Sequence, residues 1–318
     1  MNNEKISAFL IHLGSNMWAK KDRIPSGFRH EEDSTYKTKM YCQKDVWTKV
    51  TDFLPSCGFN TLIIDIGEGV RLDSHPEIAT EGAWTKAELR EELARLRALG
   101  LTPIPKFNFS CGHSAWMQDY AYMVGTKIYD DFCRDIVEET IELFDNPPYF
   151  HLGLEEEDYK SQATNHIAII RTPAKKTKDA LALFDICRAH GVRPWIWADF
   201  ASFGGPEAFA AQVPKDVIIS TWYYGIIRDG TPEENLPESV KMMRTTVDLG
   251  YDLVPTASTW SWHLNTKDLM MYCRDHLPQE HIMGYMTASW LLTCEKNYYG
   301  LLNDAYTFYH AKRDILGE

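Results

Sequence analysis

Tyr149-Phe150-His151-Leu152-Gly153-Leu154-Glu155-Glu156-Glu157-Asp158 is an apolar run that delivers straight into four acids. A parallel strand covered on both faces reads as such a run. The segment therefore predicts a buried strand whose C-terminal end presents carboxylates. Working outward, similar runs occur at residues 6–13, 61–66, 101–107, 193–199, 217–221, 252–256 and 281–289, with the quoted strand taken as 149–154. Helical patterns separate them at 45–56, 86–99, 127–144, 174–190, 207–212, 236–249 and 266–276, and a last one follows at 298–316. In the second, Leu89, Leu93, Leu96 and Leu99 recur at helical spacing and Gly100 supplies a stop. Eight strand–helix units in 318 residues predict a closed α/β barrel, a (β/α)8 TIM barrel forming one domain over 1–318. An open doubly wound sheet is the runner-up. It would more often carry a Gly-rich phosphate turn after its first strand, and none is present.

Composition narrows the partners. A formal net charge of −12 argues against nucleic acid and anionic membrane surfaces, which repel an acidic protein. No apolar run approaches the roughly 18 residues that a membrane span needs. The start, Met1-Asn2-Asn3-Glu4-Lys5, shows no signal-peptide pattern. The seven cysteines are odd in number, widely spaced and without a CxxC pair, which predicts reduced thiols in a cytoplasmic protein and no zinc site. The oligomeric state is left open, and no metal or organic cofactor is implied.

Three segments without regular pattern, 14–43, 67–84 and 109–125, each follow a strand. All three belong on the C-terminal face of a barrel, where active sites are built. The same rule nominates the residues next to each strand end. These are His12, Asn16 and Trp18; Asp65 and Glu68; Asn108 and His113; the run Glu155–Asp158 with His151 before it; Asp199; Trp222, Tyr223 and Tyr224; Trp260, Trp262 and His263; and Trp290. Carboxylates together with indoles on one rim suit glycoside cleavage, in which a protonated carboxyl assists the leaving oxygen and aromatic faces pack on the C–H faces of sugar rings. No Ser-His-Asp arrangement or metal triad is as well supported. Within the run, Glu157 and Asp158 read as the solvated start of a helix.

A resemblance then enters. Gly69-Val70-Arg71-Leu72, His75-Pro76-Glu77-Ile78, Trp84-Thr85-Lys86-Ala87-Glu88-Leu89-Arg90, Ile104-Pro105-Lys106-Phe107-Asn108 and Gly112-His113-Ser114 follow one another as in glycoside hydrolase family 20. His151-Leu152-Gly153-Leu154-Glu155-Glu156 resembles that family's H-x-G-G-D-E signature. Trp197-Ala198-Asp199, Trp222 and Ala288-Ser289-Trp290 resemble its later strand ends. The resemblance implies a β-N-acetylhexosaminidase-like catalytic barrel acting on a carbohydrate. Glu156 falls on the general acid/base. Glu155 falls on the carboxylate that orients the substrate's 2-acetamido group, whose oxygen is the nucleophile. Asp65, Asn108, His113, His151, Asp199, Trp222, Tyr223, Trp260 and Trp290 are the expected binding residues.

The chain departs from the pattern at several of these positions. Glu155 stands for Asp, Leu154 for the second Gly, Asn108 for Asp, and Lys106 for Glu. Trp260-Ser261-Trp262 stands where a tyrosine is expected. Two alternatives stay open: a two-carboxylate glycosidase using Asp65, Glu68 or Asp199 as the second acid, and a carbohydrate-binding barrel without hydrolysis. The end of strand seven offers no carboxylate, which favours acetamido assistance over the first.

Overall fold

The computed structural model describes residues 4–15, 36–162, 167–228 and 230–317. Asn16 and Trp18 lie outside the described residues. Eight parallel strands alternate with eight helices: β1 Ile6–His12, α1 Lys44–Phe53, β2 Thr61–Asp65, α2 Lys86–Ala98, β3 Thr102–Lys106, α3 Lys127–Leu143, β4 Tyr149–His151, α4 Pro173–Ala189, β5 Arg193–Trp197, α5 Pro206–Gln212, β6 Ile218–Ser220, α6 Glu238–Asp248, β7 Thr256–Ala257, α7 Asn265–His276, β8 Gly284–Leu292 and α8 Tyr298–Leu316. From β1 to β6 each strand pairs with the next in sequence, β7 pairs with β8, and β8 pairs with β1. Bridges Ile219↔Leu253 and Trp222↔Thr256 join β6 to the β7 segment and close the ring. The fold is the predicted (β/α)8 barrel.

Side-chain alternation divides the core in two. Ala8, Leu10, Ile63, Ile104, Trp195, Ile218, Val254 and Met286 fill the interior. Their neighbours Phe9, Ile11, Leu62, Ile64 and Ile196 face outward against helix residues such as Val50, Leu93, Ile136 and Phe184. This is the layered interior expected of the architecture. Helix starts follow capping chemistry: Thr85 forms a reciprocal box with Glu88, and Thr172 caps α4 just ahead of Pro173.

The strand ends differ from the sequence expectation where the backbone turns left-handed. β4 stops at His151, because Gly153 and Leu154 both take positive φ (71° and 70°). β8 runs three residues past its predicted end and carries a bulge, with Leu10 opposite Ala288 and His12 opposite Leu292. Trp290 sits inside that bulge at φ 58°, a device that re-aims a side chain. All seven cysteines are free thiols. Among the described residues no helix is long and apolar enough to cross a membrane.

Candidate active site

The site grows from the segment that leaves β4. Gly153, Leu154 and Glu156 all have positive φ, and a non-glycine residue in that region persists only where its surroundings over-determine it. Here they do. Lys176 Nζ donates to the Leu154 carbonyl (2.8 Å), the Ser110 hydroxyl donates to the Glu155 carbonyl, and Gln162 Nε2 donates to the Glu157 carbonyl (3.0 Å). The Leu154 N–H donates to Asn108 Oδ1 (3.3 Å). Leu154 therefore takes, as a fully buried leucine, a conformation that glycine adopts without strain.

Gly153 has no such latitude. A Cβ there would lie 2.2 Å from Asn108 Oδ1 and 2.7 Å from Asn108 Cα. Gly153→Ala is expected to cost about 1–3 kcal/mol of unfolding free energy, read by urea titration. A neutral result would mean that Asn108 can move aside at no cost.

On this frame Glu155 and Glu156 diverge. Glu155 is buried, its side chain 7% exposed, whereas Glu156 is 36% exposed. Asn108 Nδ2 donates to Glu155 Oε1 (2.7 Å), and Glu155 Oε2 has no partner among the described residues. Burial pushes the Glu155 carboxyl up from its ordinary value, opposed by the nearby charges of His113 and Lys106. His113 Nε2 lies 2.9 Å from Glu156 Oε2 and 3.9 Å from Glu155 Oε1, so one imidazole bridges the two acids.

These three residues form one side of a pocket that opens to solvent. The other walls are Trp197, Trp222, Tyr224, Trp260 and Trp290. The Trp222 ring meets Trp197 edge-on at 5.7 Å, and Trp290 lies 5.9 Å from Trp197. The indole N–H of Trp197 is buried without a partner among the described residues, and Trp290 is hydrogen-bonded to Tyr224. Burial raises the Tyr224 phenol well above its ordinary value, so it stays a protonated donor. The pocket thus presents, among apolar faces, the Tyr224 hydroxyl and, unpaired among the described residues, the Trp197 indole N–H and one carboxylate oxygen of Glu155. That combination suits a small ligand carrying both kinds of polar group.

The other nominated residues stand elsewhere. Asn108 reaches the site through Glu155. Asp65 and His151 lie one layer below the walls: His12, Asp65, Lys106 and His151 occupy matching register on β1 to β4. Lys106 Nζ donates to Asp65 Oδ2 at 2.8 Å. His151 Nδ1 accepts from the Gly153 N–H (3.2 Å), and burial lowers this imidazole well below its usual range, so it is neutral. Asp199 is held by Lys176 (3.3 Å) and Ser202 (2.8 Å), outside the walls. Tyr223 points away and donates to the Ile226 carbonyl, because alternation along this segment turns Trp222 and Tyr224 inward instead. Trp262 is turned onto Asp268 of α7. Glu157 is no solvated helix start: it is buried against Arg171, and α4 begins only at Pro173. Asp158 instead caps a turn, accepting from the Ser161 N–H (3.0 Å). Trp197 was not nominated from sequence, although its place two residues beyond Trp195 puts it on the same inward face.

No family model and no curated protein match the sequence. Solved structures do. A β-N-acetylhexosaminidase from Bacteroides fragilis aligns with a TM-score of 0.62 at 12% identity, over 95% of this chain and 65% of that one. A family 20 catalytic module of the pneumococcal exo-β-D-N-acetylglucosaminidase gives 0.65 at 15% identity, over 98% and 85%. A variant β-hexosaminidase from Streptomyces plicatus, in complex with its product GlcNAc, gives 0.60 at 13%, over 95% and 62%. This chain shares their barrel fold. It spans just under two thirds of the Bacteroides and Streptomyces hexosaminidase chains.

Proposed function

We propose that the chain is a retaining glycoside hydrolase that removes terminal β-linked N-acetylhexosamine, GlcNAc or GalNAc, from small glycosides with assistance from the substrate's own acetamido group. The observation that carries this reading is the pairing of a buried Glu155, with one carboxylate oxygen unpartnered among the described residues, and a partly exposed Glu156 on His113 in an indole-walled pocket. An acetamido group is an amide with one donor and one acceptor. Its N–H matches Glu155 Oε2, and its oxygen matches the donors of Tyr224 or Trp197. The indole faces cover the apolar face of the ring.

The steps follow from those positions. Glu156 gives its proton to the glycosidic oxygen while the acetamido oxygen forms a bond to C1, and the aglycone leaves as an alcohol. The positive charge that develops on the oxazolinium ring is balanced by the Glu155 carboxylate. Water then attacks C1, losing a proton to Glu156, and the acetamido group is released with retention at C1. The sequence resemblance and the shared fold support the same assignment. The carboxylates that a two-acid route would recruit are engaged elsewhere: Asp65 with Lys106, Asp199 with Lys176, and Glu68 with the Ser15 N–H (2.7 Å).

The test is hydrolysis of aryl β-GlcNAc and β-GalNAc glycosides, with inhibition by a thiazoline analogue of the oxazolinium. No inhibition, together with covalent trapping by a 2-fluoro sugar, would overturn acetamido assistance. Sugars that shift the melting temperature without any hydrolysis would leave only a binding barrel. A pH dependence follows as well. The reaction needs Glu155 ionised, and burial raises its carboxyl. As pH falls, Glu155 protonates earlier than an exposed glutamate would. The acid limb of kcat is therefore expected above the ordinary glutamate range. A limb at or below that range would contradict the role given to Glu155.

A further inference from the structure

Glu155 is asked to remain an anion in a place that disfavours anions. Its side chain is nearly inaccessible, and one oxygen has no partner among the described residues. An uncompensated carboxylate in such surroundings takes up a proton rather than bear the desolvation. Something in the fold must offset this, and the sequence shows where. Lys106 is the last residue of β3 and Asn108 follows it by two positions in the loop beyond, the first side chain meeting Asp65 and the second Glu155. Asn108 Nδ2 meets Glu155 Oε1 at 2.7 Å, and the ammonium of Lys106 lies in the layer beneath, fully buried against Asp65. Both positions depart from the family pattern, which has acids at each. Acids there would place a second carboxylate against Glu155 and a third below it.

We propose that Lys106 and Asn108 are positioning residues that act as one unit on Glu155, the amide fixing its orientation and the buried ammonium holding it as an anion able to face a cationic sugar intermediate. The use of that anion rests on the function proposed above; the charge compensation itself does not. The other groups around Glu155 are shared, neutral or drawn elsewhere. His113, 3.9 Å away, acts on Glu155 in the same direction as Lys106 but is shared with Glu156, itself an acid that opposes the Glu155 anion. From β4, His151 is neutral. From the β6 loop, Tyr224 is a protonated phenol. Lys176 of α4, beneath Leu154, is drawn toward Asp199 and Glu157. From β1 and β2, His12 and Asp65 lie behind Lys106, with Asp65 partly offsetting it.

The unit also accounts for Asn in place of Asp. Asn108 donates to Glu155 with one end of its amide and accepts from the Leu154 N–H with the other. An aspartate at that position could keep only the second contact.

The test is the titration of the Glu155 carboxyl, followed by 13C NMR on protein labelled at glutamate and assigned by the resonance missing in Glu155→Gln. Removing Lys106 alone strands Asp65, so the primary variant is the double exchange Asp65→Asn with Lys106→Met. Its Glu155 midpoint is expected to move upward from wild type, and Lys106→Arg is expected to stay close to wild type. Should the double variant not fold, Asn108→Asp, nearly isosteric, is read in the same way and is also expected to move the midpoint upward. An unchanged or lowered midpoint in the folded double variant, or in Asn108→Asp where that replaces it, overturns the proposal. The readout needs no turnover, so it remains decisive even if no aryl N-acetylhexosaminide is cleaved. Where the glycosides are cleaved, the double variant is expected to lose kcat on the order of tenfold at neutral pH, with KM little changed and activity partly recovered at higher pH. A loss equal at every pH would indicate a structural role and count against the unit.

Discussion

Glu156→Gln is expected to lower kcat on aryl β-N-acetylhexosaminides by about 10²–10⁴-fold, the usual contribution of a positioned proton donor. Glutamine keeps the shape of the side chain and can still meet His113, which lies 2.9 Å from the carboxylate oxygen in the wild type. It has no acidic proton to give. The loss should therefore depend on the leaving group. A dinitrophenolate departs without help and should lose least, whereas a nitrophenolate or an alkyl aglycone should lose most. The measurement is kcat/KM across a series of leaving groups of graded acidity. The slope against leaving-group pKa is expected to steepen in Glu156→Gln and to stay near wild type in Glu155→Gln, since the role proposed for Glu155 is on the acetamido side. Full activity in Glu156→Gln, or equal slopes in both variants, would remove Glu156 from the acid/base role.

The barrel was legible because its signals are local. A strand buried on both faces is an apolar run, and a helix packed on one face repeats every three to four residues. Leu89, Leu93 and Leu96 of α2 are all fully buried, as that spacing required, whereas Leu99 falls at the C-cap and is only half-buried. The acids beyond β4 were legible for a similar reason, since a strand feeding a loop fixes which residues come first. What escaped was set by partners remote in sequence. Glu157 looked like part of a solvated run because the residues that neutralise it, Arg171 and Lys176, lie 14 and 19 positions further on. Asp65 and His151 read as rim residues, but the last residue of each strand turns into the barrel, where Lys106 and the Trp195 and Trp197 rings receive them. Trp197 was within reach of simple alternation, and so was the choice of Tyr224 over the outward-turned Tyr223.

The position of Glu157 leads to the largest stability effect. Arg171 is almost completely buried. Its Nε donates to Glu157 Oε2 at 2.9 Å, one terminal nitrogen also meets Glu157, and the other reaches Asp179 at 3.2 Å. The same guanidinium donates to the Phe109 carbonyl, so it ties the loop after β3 to the loop after β4. Arg171→Met removes every one of these contacts and leaves Glu157 inside the protein, with Lys176 at 3.9 Å as its nearest remaining cation. Breaking a buried pair from one side costs about 3–5 kcal/mol, and that loss is expected in urea unfolding. The companion variant Arg171→Met with Glu157→Gln should recover part of it, because no carboxylate is then stranded; equal losses in the two would mean that the charge is not what destabilises. The effect should also reach the site. Glu157 follows Glu156, whose left-handed backbone is held only while its neighbours are fixed. An Arg171→Met protein that is still folded at low temperature should therefore show a reduced kcat with the leaving-group dependence of the wild type, since the acid is misplaced rather than absent.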